Sequence, residues 1–542
     1  MSGVASEPIP AATERRPPGG MKVFVKGDLD GFFALALDNV INLLLIGGFC
    51  LGVLRFSPEV FYGHILPAAA VSLVVGNLFY ARQARALARR EKRDDVCALP
   101  YGLSLFTVLA FSLLVMLPAQ QAALARGLDK PAADLEAWRA GIAACLASGC
   151  IELVGGLWID KLRSFIPRAA LLATPAMVGL LFISGDFFFR AVAYPDIGFV
   201  TLGLLCALYY GRMKLKGGVP ASLLVLAVGT AMAWLWHREG VDALVPVGTL
   251  ASEQVGLHLP VPVLGDLVAA LPLIVPYLPV TIPMGLLGLV GSLQCLESAE
   301  AAGDKFAGRP ALAVNGLGTI AAAVCGSPYP TTLYYGHPGW KAIGARAGYS
   351  TLNAVFFTAV LLTGTFSYIA YAVPVEAGMA ILVWIGATMF MQAFSAVPVR
   401  HYPAVAIGML PPVAGFAALM FRHALAGAGV EFSPELLERI EGARNYAVQG
   451  VLAADSGYIF MSILWGGAVA AMTERKFGVA AVWMLAAAVF SAAGFMHAVK
   501  VTRFDVIGAV EPAWPWVWAY AATAAMLVAV PWFSRPTDTA QV

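Results

Sequence analysis

Three acids on one apolar segment are the first residues whose spacing suggests chemistry. In Gly291-Ser-Leu-Gln-Cys-Leu-Glu-Ser-Ala-Glu-Ala-Ala-Gly-Asp304, the residues Glu297, Glu300 and Asp304 fall at i, i+3 and i+7 and share one helix face. Gln294 extends that face by a turn. An acid at the centre of a membrane helix costs about 2.5–3.5 kcal/mol or more, so it faces a partner or a cavity. The pattern suits a protonatable substrate or cation site, with Glu297 deepest and Asp304, beside Lys305, at the solvated end. Asp38-Asn39-Val-Ile-Asn42 places an acid and two amides within about one turn, a second candidate for proton work. Glu152, in Ser-Gly-Cys-Ile-Glu-Leu-Val-Gly-Gly, reads as a packing or gating hydrogen bond or as part of a proton path. Asp186 with Arg190, and Glu474 with Arg475, read as ion pairs at segment ends.

The other concentration of polar groups is Cys325-Gly-Ser-Pro-Tyr-Pro-Thr-Thr-Leu-Tyr-Tyr-Gly-His-Pro-Gly339. Proline lacks an N–H and pushes its predecessor toward extended geometry, so Ser327–Pro330 is expected to be non-helical. Thr332, Tyr335 and His337 then line a break, and the imidazole of His337 is able to change charge near neutral pH. Leu99-Pro100-Tyr101-Gly102-Leu103-Ser104-Leu105 echoes Ser327-Pro328-Tyr329-Pro330-Thr331-Thr332-Leu333. Non-helical backbone at membrane depth must be satisfied by protein or a cavity, so the two breaks are expected to pair as short strands. Each would start a half-helix whose N-terminus carries partial positive charge toward a central ligand, with backbone around Tyr101 and Thr332 orienting it.

The elements that must position these groups are membrane spans. The chain is 59% hydrophobic and 13% charged, against roughly 45–50% and 25% in soluble domains. Apolar runs recur along it, and 542 residues hold about 14 to 16 spans. Arg82, Arg85, Arg89, Arg90, Lys92 and Arg93 follow span two, and every second connection thereafter is basic. These include Arg163 and Arg168 after span four, and Lys341 and Arg346 after span ten. The positive-inside rule then puts both termini in the cytoplasm. The echoing breaks lie seven spans apart, an odd offset that implies opposite orientation, as in inverted repeats. Residues 1–26 read as a disordered tail with no signal-peptide pattern. The seven cysteines lack CxxC spacing and read as packing residues. No HExxH, P-loop or GxSxG motif is present, and no cofactor or metal site is expected. The cations follow the connections and form no nucleic-acid stripe.

On these residues the chain resembles the nucleobase–ascorbate transporters, the xanthine/uracil permeases, nearest their hypoxanthine/guanine branch. The resemblance rests on Gln294-Cys-Leu-Glu297-Ser-Ala-Glu300, on Asn315-Gly-Leu-Gly-Thr319 leading to Gly326-Ser-Pro-Tyr-Pro-Thr-Thr332, on Ile381–Met389, and on Pro403 through Met409-Leu-Pro-Pro412. It implies an all-α polytopic membrane protein with an inverted 7+7 repeat and short strands in discontinuous spans three and ten. It further implies core segments at 27–165 (spans 1–4) and 263–372 (spans 8–11), and gate segments at 166–262 (5–7) and 373–476 (12–14). Residues 477–542 add two C-terminal spans outside that pattern. By resemblance Glu297 binds the substrate, and His337 stands where the family often has a second glutamate.

The expectation is a secondary transporter, not an enzyme, that carries a nucleobase-like solute, purine or pyrimidine, by proton symport across the inner or plasma membrane. The alternative on the same fold is an anion carrier of the sulfate, bicarbonate or carboxylate type. Substrate contacts are expected from Glu297, Tyr101, Thr332, Tyr335, His337 and Gln294, and proton coupling from Glu297, Glu300, His337 and Asp38. The lipid bilayer is the obligatory surrounding, nucleic acid is not a partner, and a homodimer is compatible with the sequence.

Overall fold

The computed structural model describes residues 22–211, 213, 215, 219–236, 255–373, 375–430, 433–442, 447–497 and 511–535. Among them eight helices are long and apolar enough to cross a membrane, and the bent pair Val448–Asp455 and Tyr458–Thr473 allows a ninth. Shorter apolar helices account for further segments. Spans one and two are Gly27–Val53 and Pro58–Glu91, and four and five are Lys130–Gly155 and Arg168–Ala193. Span three is strand β1 (Tyr101–Leu103) followed by helix from Leu105 to Ala125. Spans six and seven are Pro195–Tyr209 and Ala221–Trp236. Spans eight and nine are Leu278–Ala301 and Gly308–Val324, and span ten is strand β2 (Thr331–Leu333) followed by the helical turns His337–Ala342. Spans eleven to fourteen are Gly348–Leu362, Val375–Ser395, Tyr402–Gly427 and Tyr458–Thr473, with Phe477–Ala492 and Trp514–Phe533 beyond them. The protein is thus an all-α polytopic membrane protein with short strands in two broken spans. The expected tail at residues 1–21 lies outside the described residues.

The packing carries the inverted repeat. If span one answers eight, two answers nine, and so on, each helix pairing should have a counterpart. Span four packs on nine as eleven packs on two, and four packs on eight as eleven packs on one. Spans thirteen and fourteen pack on each other and on five, as six and seven pack on each other and on twelve. Span five also touches eight, span one touches seven and twelve, and span twelve touches ten.

The strands cross between the repeats. β1 and β2 are antiparallel, with Tyr101 opposite Leu333, Gly102 opposite Thr332 and Leu103 opposite Thr331. Proline is the local cause: Pro100, Pro328 and Pro330 cannot donate to a helix, so the chain stays extended until the first residue after each strand. The flanking amides are satisfied across the pair, Ser104 N donating to Pro330 O at 3.1 Å and Tyr334 N to Pro100 O at 2.9 Å. The central Gly102–Thr332 pair puts the dyad at that point, so Pro100 answers Pro330 and Leu103 answers Leu333. The sequence echo, which aligns Tyr101 with Tyr329, is therefore two residues out of register. Gly102 is required here, because a Cβ would overlap Asn39 Oδ1 and the Tyr334 hydroxyl.

Candidate functional site

Side chains alternate along a strand, so the two faces of the crossed pair differ. On one face Tyr101 is fully buried and points away from any opening, against Gly76 of span two. Its hydroxyl joins a closed triangle: 2.5 Å to Thr331 Oγ1 and 3.1 Å to Ser72 Oγ, with Ser72 and Thr331 2.5 Å apart. Tyr101 therefore positions β2 from behind. On the other face, cross-strand neighbours Gly102 and Thr332 share a side, and Thr332 is half-buried. That side meets span one: the Tyr334 hydroxyl donates to Leu103 O at 2.8 Å and accepts from Asn42 Nδ2 at 2.8 Å. Asn39 Nδ2 continues the network to Asn353 Oδ1 at 3.2 Å. Asp38, half-buried, lies close enough to Tyr334 for the two to interact electrostatically.

Span eight passes β2 and the first turns of spans three and ten. The Tyr335 hydroxyl donates to Gln294 Oε1 at 2.9 Å, which fixes that amide. The amide nitrogen, Gln294 Nε2, is buried and has no hydrogen-bond partner in the protein. Span eight also contacts the helix that opens span three at Leu105, whose first-turn amides have no intrahelical acceptor. Gln294, Tyr335, Thr332 and Asp38 thus gather around the crossed strands.

Glu297, His337 and Glu300 lie elsewhere. One turn beyond Gln294, Glu297 is 4% exposed, and both its oxygens are occupied. Arg163 Nε lies 2.9 Å from Oε2, and Arg168 Nε pairs with Oε1. Glu300 completes the cluster, 2.5 Å from Arg163, 3.3 Å from Arg168 and 3.2 Å from Lys305. Arg168 opens span five while both glutamates belong to span eight, so the cluster bridges those two spans. Arg163 comes from a short helix, Ile159–Phe165, between spans four and five.

His337 is buried and turned toward a second hub. Its Nε2 faces Asp304 Oδ2 at 3.2 Å and Cys97 O at 3.1 Å. Both are acceptors, so that nitrogen carries the proton. Asp304, expected in solvent, is instead completely buried, because four groups converge on it. Besides His337 these are Arg93 at 2.7 Å, Lys341 at 2.6 Å and the Cys97 amide at 3.0 Å. Burial alone would raise the Asp304 carboxyl, but the hydrogen bond and charge of His337, joined by Lys341, hold it well below the usual carboxylate range. The hub ties the residues leading into β1 to the first turn after β2. Both clusters gather the ends of even-numbered spans, the ends that carry the basic connections. Asp186 and Arg190 pair as expected, at 2.9 Å.

No family model and no curated protein sequence matches the chain. Among solved structures it is similar to the transmembrane domain of a cyanobacterium bicarbonate transporter, BicA. That likeness has 14% identity and a TM-score of 0.33, covering 72% of this chain and 94% of that one. It is also similar to SLC26A9, with 12% identity and a TM-score of 0.33, covering 76% of this chain and 69% of that one. The expected membership of the nucleobase–ascorbate family is corrected: no family model, of that family or another, matches the chain.

Proposed function

We propose that the protein is a secondary transporter of a small anion, bound where β1 and β2 cross. The reading is supported above all by Gln294 Nε2, a buried donor without an acceptor, on a span that contacts the first helix of span three. An unpaired buried donor costs about 1–3 kcal/mol, which a bound acceptor relieves, and a helix N-terminus favours negative charge. The acids that would repel an anion are disposed of differently. Glu297 and Glu300 are neutralised by Arg163 and Arg168, and Asp304 by Arg93 and Lys341. Asp38, at the rim of the site and with no basic partner among the described residues, is the group whose protonation would accompany the anion and make the cycle a proton symport. Spans one to four and eight to eleven form the core that carries the site. Spans five to seven and twelve to fourteen form the gate, and the Arg168–Glu297 contact between them holds one end of the cycle. The basic ends of the even-numbered spans support a cytoplasmic location for that end and for both termini.

Tyr335→Phe tests the site without adding or removing charge. The variant removes only the hydroxyl that orients Gln294, and anion affinity, read by quenching of tryptophan fluorescence with sulfate or bicarbonate, should fall about tenfold. An unchanged affinity would move the site away from Gln294.

A further inference from the structure

Glu152 takes no part in the site described above, and its surroundings are unlike those of Glu297 and Asp304. It lies in span four with 3% of its surface exposed. Its carboxylate abuts span eight at Gly288, where a Cβ would lie 2.8 Å from Oε1, so that glycine makes room for the acid. Its other oxygen, Oε2, has no hydrogen-bond partner in the protein. Two more buried oxygens in the same crevice are also unpartnered: Ser148 Oγ, one turn earlier on span four, and Asn315 Oδ1 on span nine.

The crevice is defined by close approaches. On span four, Cys145, Ser148, Gly149 and Glu152 share a face. That face touches span nine, with Cys145 Sγ 3.6 Å from Thr319 O and a Cβ on Gly149 2.9 Å from Gly316 O. Asn315, adjacent to Gly316, donates through Nδ2 to Ser292 Oγ at 3.1 Å. Ser292 lies one turn after Gly288 on span eight. Spans four, eight and nine therefore enclose a carboxylate, an amide carbonyl and a hydroxyl. The titratable groups acting on Glu152 are Tyr80 of span two, Tyr101 of β1 and Cys145 of span four. None is a cation, and no lysine, arginine or histidine is paired with Glu152 among the described residues.

An ionised carboxylate in so apolar a place needs one compensating positive charge. Oxygen-only ligands select hard cations over soft ones, and a divalent ion would leave a net charge behind. We propose that Glu152, Asn315 Oδ1 and Ser148 Oγ form a sodium site in the core, behind the crossed strands. A proton on Glu152 supplies the same charge but reaches only one acceptor, so protons compete with sodium here without replacing it. Tyr101, which hydrogen-bonds Thr331 of β2 and lies within electrostatic reach of Glu152, offers the path by which occupancy is felt at the strands. That use of the ion rests on the transport reading, whereas its binding does not.

The test uses the purified full-length protein in detergent. Melting temperature is followed against NaCl, with choline chloride holding ionic strength constant, at pH 6 and pH 8, and radioactive sodium binding is measured directly. Wild type should show a saturable rise in melting temperature with sodium, stronger at pH 8, and stoichiometric sodium binding. Glu152→Gln should lose both, Asn315→Ala and Ser148→Ala should weaken sodium affinity several-fold, and Asp186→Asn should behave as wild type. Identical melting in sodium and choline at both pH values would overturn the site, as would an undiminished sodium response in Glu152→Gln. Should Glu152→Gln fail to fold, wild-type binding and the Ser148→Ala affinity decide. Sodium binding in a protein that takes up no anion would remove the transport reading and leave the site. Anion uptake by a protein that binds no sodium would do the reverse.

Discussion

Glu297 and Glu152 are the same residue type in apolar helices, 4% and 3% exposed, yet their surroundings are opposite. Glu297 meets two arginines, while Glu152 meets a glycine, a serine and an asparagine. Burial alone therefore says little about an intramembrane acid. Its role follows from the charge that compensates it. Glu297 is compensated by Arg168 of span five and by Arg163 of the short helix before it, and so joins parts of the molecule together. Among the described residues no basic side chain compensates Glu152, and so it is poised to take up a charge from outside.

The largest expected effect lies on the Glu297 side. Glu297→Ala leaves Arg163 and Arg168 facing an apolar gap, and breaking a buried pair from one side costs about 3–5 kcal/mol. Thermal or denaturant unfolding should show a loss of that order, and a change below about 1 kcal/mol would mean the cluster is solvated. Asp304 extends the comparison to acid. Its carboxyl is held below the ordinary value near 3.8, so the stability it contributes is present above about pH 4 and is lost as pH falls through its depressed folded value. Each of its charged hydrogen bonds is worth about 1.5–3 kcal/mol. Wild type should lose stability steeply below about pH 4, and Asp304→Asn, already lacking those bonds at neutral pH, should lose it less steeply. The smallest effect belongs to Glu152. In the absence of sodium, Glu152→Gln keeps the size and shape of a side chain with no basic partner among the described residues and should shift stability by less than about 1 kcal/mol. A loss as large as that of Glu297→Ala would erase the distinction between the two acids.

Much of this was legible in the sequence. Prolines 100, 328 and 330 announced the two breaks, and the odd spacing of the echo announced their opposite orientation. The echo missed the register by two residues, because Pro-Tyr occurs twice but the dyad is set by Gly102, whose missing Cβ lets Tyr334 reach the strand. The acids of span eight were visible, but their partners were not. Arg163 and Arg168 stand 134 and 129 residues before Glu297, and in the sequence they read as topology markers. The same fact held a clue, since basic ends of even-numbered spans share a face with the end of span eight. Asp304 was misplaced in solvent because its neighbour Lys305 suggested an exposed pair, while its actual partners come from the ends of spans two and ten. His337 stood in a polar break, yet only the fold shows that it turns to Asp304 and away from Gln294.

The central claim is that the unpaired donor at the strand crossing receives an anion, and uptake into proteoliposomes tests it most directly. Wild-type protein should accumulate labelled sulfate or bicarbonate saturably, faster with an inward proton gradient, and Gln294→Ala should lose about tenfold or more of that uptake while remaining folded. Folded wild-type protein that accumulates neither anion above empty liposomes, or a Gln294→Ala variant that transports as well as wild type, would contradict the account.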